Sequence, residues 1–308
     1  MSLTTGSNFF SLVSGLIRAD FVSMPAPSFT YAFLPDEKIK EGFVRILGEI
    51  AKHGSELARP SSGPMEEPIH AGRLLIKRLR ALLWFAHSTM SEEVESRAKT
   101  ELRKAAGLLG GHRDLAVAQE TLKKLKKKAS TAAERKALAQ TSRQFGGMPE
   151  AAEVVEAKRQ DSLQKAMDLL CRSVLIVKQN VSCIDSWPAP FQRVAKATHA
   201  QIKAWKKAQH TGDDTDFHTW RKRAKRLFYQ LELAQSTKGK KTARAMKKVG
   251  KLQQKLGEYH DDVVVEGRLR EAATPNSSAK RVLKSLDKEK THLRKKAVKI
   301  ARRLKAKL

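Results

Sequence analysis

Cysteine is nearly missing from this chain: 308 residues carry two, Cys171 and Cys183. Two thiols make no disulfide framework, and their scarcity suits a reducing compartment, so the expected location is the cytoplasm. Aromatic residues make up only 6% and decorate no basic strand, which disfavours a stacking platform for single-stranded nucleic acid. Apolar runs are short. The only one near the N-terminus, Phe-Phe-Ser-Leu-Val-Ser-Gly-Leu-Ile at 9–17, falls well below the ~20 residues of a membrane-spanning helix. No positive charge precedes it, as a signal peptide would require, so residues 1–35 read as an arm or short helix packed on the body, with secretion the lesser reading, and no membrane association is expected. No stretch alternates like a strand. The phosphate-loop pattern Gly-x-x-x-x-Gly-Lys-Ser/Thr is missing, as is a Glu-x-Glu-x-Lys carboxylate strand able to hold a divalent metal beside phosphates. Catalysis, a cofactor and a metal are therefore not expected.

Acid is also in short supply. Thirty-two Asp and Glu face 61 Lys and Arg, a formal charge of +29, while 41% hydrophobic content marks a folding sequence and not a disordered polycation. So much like charge opposes compaction, and a polyanionic counter-charge is the simplest reason for it.

The cations are ordered. On a helix, His70, Arg73, Lys77 and Arg80 share one side and Leu75, Leu79, Leu82 and Ala86 the other. From His70 to Lys77 the row covers about 10 Å. A near copy, His218-Thr-Trp-Arg221-Lys222-Arg223-Ala-Lys225-Arg226-Leu227, begins 148 residues later. Leu109-Gly110-Gly111-His112-Arg113-Asp114 returns as Leu256-Gly257-Glu258-Tyr259-His260-Asp261 at an offset of 147. Near-equal offsets predict an internal duplication, with one half over 36–182 and the other over 183–308. The Cys183-Ile-Asp-Ser-Trp-Pro188-Ala-Pro190 segment is the expected hinge. On the shorter offset Arg97 pairs with Arg244, Lys104 with Lys251 and Asp114 with Asp261.

The remaining signals are helical. Asp36 reads as the N-cap of a first helix striped by Ile39, Phe43, Ile46, Leu47 and Ile50, and Ser91-Glu92-Glu93 as the start of a third. The Leu-Gly pairs at 109 and 256 read as helix ends. The tail from Ala279 holds thirteen Lys or Arg on a helical pattern of Val282, Leu286, Leu293, Val298 and Ile300. The fold class is all-α: long antiparallel helices in two bundles.

His-x-x-Arg-x-x-x-Lys-Arg-Leu followed by Leu-Gly-x-x-Arg-Asp, twice in order, resembles the CHAD family, named for a histidine on an α-helical domain. The resemblance spans about residues 36–308. It implies two bundles related by a pseudo-twofold, a basic central groove or pore between them, binding of inorganic polyphosphate, and association with polyphosphate granules. Carried over by motif, the contacts are His70, Arg73, Lys77 and Arg80, then His218, Arg221, Lys222 and Lys225. Arg97, Lys104, Arg244 and Lys251 are implied on the third helices. Phe228 stands where the first half has Arg80, and His260 where it has Arg113.

Chemistry fits that expectation, since a polyphosphate offers only anionic acceptors while Arg, Lys and His⁺ offer only donors. Each histidine could instead be hydrogen-bonded structurally at a helix start. Asp114 and Asp261 read as N-caps or as carboxylates orienting an Arg, and Tyr259-His260-Asp261-Asp262 has poor spacing for a metal. The rival readings are a polyphosphate- or triphosphate-processing enzyme and non-specific binding to nucleic-acid backbone. Oligomeric state is not legible.

Overall fold

The computed structural model describes residues 30–60, 65–87, 89–145, 152–184, 186–272 and 277–305; most of the predicted arm, residues 1–29, lies outside them. Among the described residues there are ten α-helices and no strand: α1 Ile39–Leu57, α2 Glu66–Phe85, α3 Glu92–Leu108, α4 Gly111–Lys128, α5 Ala132–Phe145, α6 Ala152–Gln179, α7 Pro190–Thr211, α8 Asp214–Leu233, α9 Gln235–Ala272 and α10 Ser277–Lys305.

The first body packs α1, α2 and α3 around α6. Its core takes Phe43, Ile46, Leu47 and Ile50 from α1, Leu75, Leu79 and Leu82 from α2, and Leu163, Met167, Leu170 and Val174 from α6. At Gly72, inside the first cationic motif, an added Cβ would sit 3.0 Å from Leu163 Cδ1 and from Met167 Cε, so the missing side chain is what lets α2 approach α6. Ser91 caps α3 as expected, its hydroxyl accepting from the Val94 amide at 3.3 Å. Asp36 does not cap α1. The helix opens at Ile39 behind Lys38, whose side chain makes no capping bond.

The second body packs α7, α8, α9 and α10, with Trp220, Leu227, Leu252, Leu256, Tyr259 and Leu293 inside. Gly212, at φ 72°, supplies the left-handed turn that ends α7 and lets α8 reverse direction. A third apolar cluster joins Leu122 and Leu125 of α4 and Leu138 of α5 to Val265 and Leu269 of α9 and Val282 and Leu286 of α10. Helices α4 and α5 therefore leave the body that precedes them and pack on the distal ends of α9 and α10.

The helix end expected at Leu256-Gly257 is absent. Helix α9 runs 38 residues without a break, through Gly257 to Ala272. The earlier pair does break, because Leu109 is followed by two glycines where Leu256 is followed by Gly257 and Glu258. Continuity then lets α9 bury Leu256 and Tyr259 in the second core and Val265 and Leu269 in the third, which outweighs the ~1 kcal/mol penalty of one interior glycine. Asp261 consequently sits inside a helix and caps nothing.

Next to it, Asp262 is 4% exposed and its Oδ2 has no hydrogen-bond partner. Burial first, then the charges of Glu289 and Asp261, push its carboxyl up to about 8 against the opposing pull of Lys128. Between the ordinary value of 3.8 and about 8 the native chain holds a proton that the unfolded chain has released, so stability falls as pH rises across that window. Asp262→Asn removes this slope. Denaturant titrations at about pH 5 and about pH 8.5 should show the variant gaining about 1–3 kcal/mol over wild type at the higher pH and little at the lower. Equal gains at both would mean that Asp262 is ionised throughout.

Candidate polyanion-binding site

The two bodies meet through α2 and α8. Arg78 donates to Glu232 through Nη2 at 2.8 Å and Nε at 3.3 Å, Gln230 Nε2 donates to the Ala81 carbonyl at 2.9 Å, and the Arg226 guanidinium lies 4.9 Å from the Trp84 ring centre. Later residues of one helix thus pair with earlier residues of the other, so the helices run antiparallel past each other. On the 148-residue spacing Arg226 corresponds to Arg78 and Trp84 to Glu232. Equivalent positions make the crossing twice, once as an ion pair and once as a cation–π stack.

This geometry decides where the rows lie. His70 and His218 each stand about 16 Å along their own helix from the crossing, in opposite senses, so the histidine ends are carried apart and the other ends are brought together. Beside the crossing is a cleft of ≈ 860 Å³ lined by Arg80 and Trp84 of α2, His87, Lys99 and Arg103, and Arg226 of α8. Of the twelve residues expected as contacts, Arg80 alone lines it. Glu92 and Glu95 are also at its edge, Glu95 already engaged by His87 at 2.9 Å and by Lys99. Arg193, reaching over from α7, donates through Nε to the Phe85 carbonyl at 2.7 Å and through Nη2 to the His87 carbonyl, closing the end of α2 beneath the cleft.

The first row is partly committed to the scaffold. Arg73 donates to the Leu109 carbonyl at 2.8 Å and Arg80 to the Leu102 carbonyl at 3.1 Å, two points seven residues apart on α3. Leu109 ends α3, where unpaired carbonyls and the helix dipole favour a cation. Helix α9 does not end at Leu256, so the second half offers Arg221 no such C-terminus. His70 and Arg80 are exposed and Lys77 half-buried.

In the second row His218 packs on His260, ring centres 4.6 Å apart and Nδ1 atoms 3.4 Å apart. One turn before it, Asp214 takes hydrogen bonds from Lys290 and Arg294 at 2.9 Å each and from the Tyr259 hydroxyl, fixing the start of α8 onto α9 and α10. Burial first, then the charges of Lys222, Arg221 and Lys225, hold the His218 imidazole below its ordinary pKa.

The residues expected on the third helices lie elsewhere. Arg97 lines a groove between α3 and α6, Lys104 is bound to Glu101 at 3.0 Å, and Arg244 and Lys251 line a basic cleft on α9 closed by Leu304 of α10. The Asp114 side chain lies outside the described ones. Among the described residues no group of three or more His, Cys, Asp or Glu is placed to hold a metal ion, and no helix is long and apolar enough to cross a membrane. Arg226, Arg103, Lys99 and Trp84 were not expected at a site. Arg226 stands in the second motif directly after Lys225, and only the crossing of α2 and α8 marks it out.

Two helical bodies joined by a pair of antiparallel basic helices define the architecture. A family model described as the CHAD domain matches residues 45–270, so the chain belongs to the CHAD domain family. It is similar in fold to the crystal structure of the CHAD domain from the plant Ricinus communis, with a TM-score of 0.60 and 20% identity over 92% of this chain and 95% of that one. A search among proteins of curated function finds no match.

Proposed function

We propose that this protein binds inorganic polyphosphate along the rows of α2 and α8, gripping it most firmly where the rows meet at Arg80 and Arg226. The cleft that receives cations from both bodies carries the reading: Arg80, Lys99, Arg103 and Arg226, with His87, surround one concavity on helices already packed in place, so binding requires no ordering of the backbone. His70, Arg73 and Lys77 extend the cationic line along α2, and His218, Arg221, Lys222 and Lys225 extend it along α8. We further propose that the two halves arose by duplication and that the protein works in the cytoplasm, on polyphosphate granules. It acts as a binding module and not an enzyme: the cleft's carboxylates are Glu92 and Glu95, and Glu95 is paired with Lys99 and hydrogen-bonded to His87.

Competition among long-chain polyphosphate, duplex DNA and heparin at fixed salt tests the reading. It requires a clear preference for polyphosphate. Equal affinity for duplex DNA would make the rows a general backbone binder, and metal-dependent release of phosphate would make the protein an enzyme.

Binding should also take up a proton. His218 is held neutral by burial and its cationic neighbours, and a polyanion that neutralises Lys222, Arg221 and Lys225 raises its pKa from that lowered value. Affinity should rise severalfold as pH falls through the region below the ordinary histidine value of 6.5 and stay flat above it. Isothermal titration from about pH 5 to 8 checks this, and a slope that survives in His218→Gln would assign the proton elsewhere.

A further inference from the structure

Helix α10 carries a third row that neither motif contains. Arg281, Lys284, Lys288, His292, Lys295, Lys299 and Arg302 follow one another at intervals of three or four, within an arc of about 80° and over a length of about 32 Å. All seven are exposed. Among the described residues, the salt bridges of α10 are made by Glu289, Lys290 and Arg294, all off this row. The helix holds two carboxylates, Asp287 and Glu289, each about 100° away from the row's centre line, and Glu289 is taken by Lys128 at 2.6 Å. The opposite face buries Val282, Leu286, Leu293, Ala297, Ala301 and Leu304, so the row is displayed on a fixed rod whose apolar side is unavailable to a bilayer.

The row runs into a cleft of ≈ 760 Å³ between α7 and α10, where Arg294, Lys295, Lys299, Arg302 and Arg303 surround Phe217 and Val298 with no carboxylate in the lining. Phe217 directly precedes His218, and Arg294 lies 4.9 Å over its ring. The cleft therefore opens within one residue of the outer end of the α8 row. A purely solvated face would need no concavity, and local carboxylates would be expected to balance it; Glu134 of α5 does so at Lys288, but the cleft end of the row has no carboxylate in its lining.

We propose that α10 is an outer tract for the same linear polyanion, entered from the His218 end of α8. The proposal rests on the polyphosphate reading above and adds to it a dependence on chain length. A chain confined to the α2 and α8 rows engages the inner site alone. A longer chain continues along α10, and this second, intramolecular contact raises overall affinity without altering the first.

The test uses the full chain and two polyphosphates, one short and one long, at fixed salt. Lys288→Glu, Lys295→Glu, Lys299→Glu and Arg302→Glu are combined in one variant and the same positions changed to Gln in a milder one, with circular dichroism confirming the fold. Long-chain affinity should fall at least tenfold in the Glu variant and less in the Gln variant, while short-chain affinity stays within twofold of wild type. Unchanged long-chain affinity overturns the proposal and leaves α10 a solvated face. Loss of duplex DNA binding alone overturns it in favour of nucleic acid. A wild type that binds neither polyphosphate overturns the inner-site reading and this one with it, whereas normal short-chain binding beside an unaffected long-chain variant overturns only the outer tract.

Discussion

Reversing the charge at Arg80 and Arg226 together should lower polyphosphate affinity about a hundredfold at physiological salt, roughly 1.4 kcal/mol for each position. These are the cations that reach the shared cleft from opposite bodies. Partial desolvation by the surrounding protein, then the neighbouring Arg103 charge, hold the Arg80 guanidinium below its ordinary pKa even though much of the side chain is exposed, and burial with Arg223 does the same at Arg226, so an arriving anion relieves unfavourable charge as it binds. His70→Gln with His218→Gln should cost less than tenfold, because those side chains stand at the outer ends of the rows. Filter binding or calorimetry on both double variants separates the cases. A histidine pair that matches the arginine pair would move the grip from the crossing to the ends. Thermal melts belong beside the binding curves, since Arg80 also holds the Leu102 carbonyl.

Arg193→Met should destabilise the protein by about 3 kcal/mol and lower its Tm by about 6–12 °C. Arg193 is 7% exposed and satisfies two carbonyls at the end of α2 from a helix of the other body. Its removal leaves the buried Phe85 carbonyl and the part-buried His87 carbonyl without this donor, and for the buried one a lost hydrogen bond is most expensive. Methionine preserves much of the volume, so the measured loss reports the polar contacts. A change under 1 kcal/mol would mean that water replaces the guanidinium. The same residue lies 5.8 Å from the Trp84 ring, so the variant should also weaken polyphosphate binding through the wall of the cleft.

Much of this was legible from the sequence because helical periodicity and capping are local. The α1 stripe, the Ser91 cap and the burial of Val282, Leu286 and Leu293 on α10 follow from spacing alone, whereas Val298 and Ile300 are only half-buried and Ala297, Ala301 and Leu304 complete the buried face. Local signals misled where packing opposed them. Gly257 looks like a stop, yet Leu256, Tyr259, Val265 and Leu269 together draw α9 straight through it. Asp36 looks like a cap, yet Glu37 and Arg45 organise that stretch instead: Arg45 pairs with Glu37 at 2.7 Å and holds the Thr30 and Ala32 carbonyls. The site was less legible than the fold. A helical wheel turns His70, Arg73, Lys77 and Arg80 outward as equals, but it cannot show that Arg73 and Arg80 fold back onto α3. Nor can it show that Arg226 crosses to Trp84, a contact set by the meeting of two helices far apart in sequence.

The excursion of α4 and α5 onto the distal ends of α9 and α10 has a mechanical consequence. The stretch that precedes residue 183 grips the stretch that follows it at two separate places, at the α2–α8 crossing and again through this hairpin. Severing the backbone near Pro188 should therefore yield two polypeptides that stay clasped and co-elute as one particle, parting only when denaturant loosens both grips.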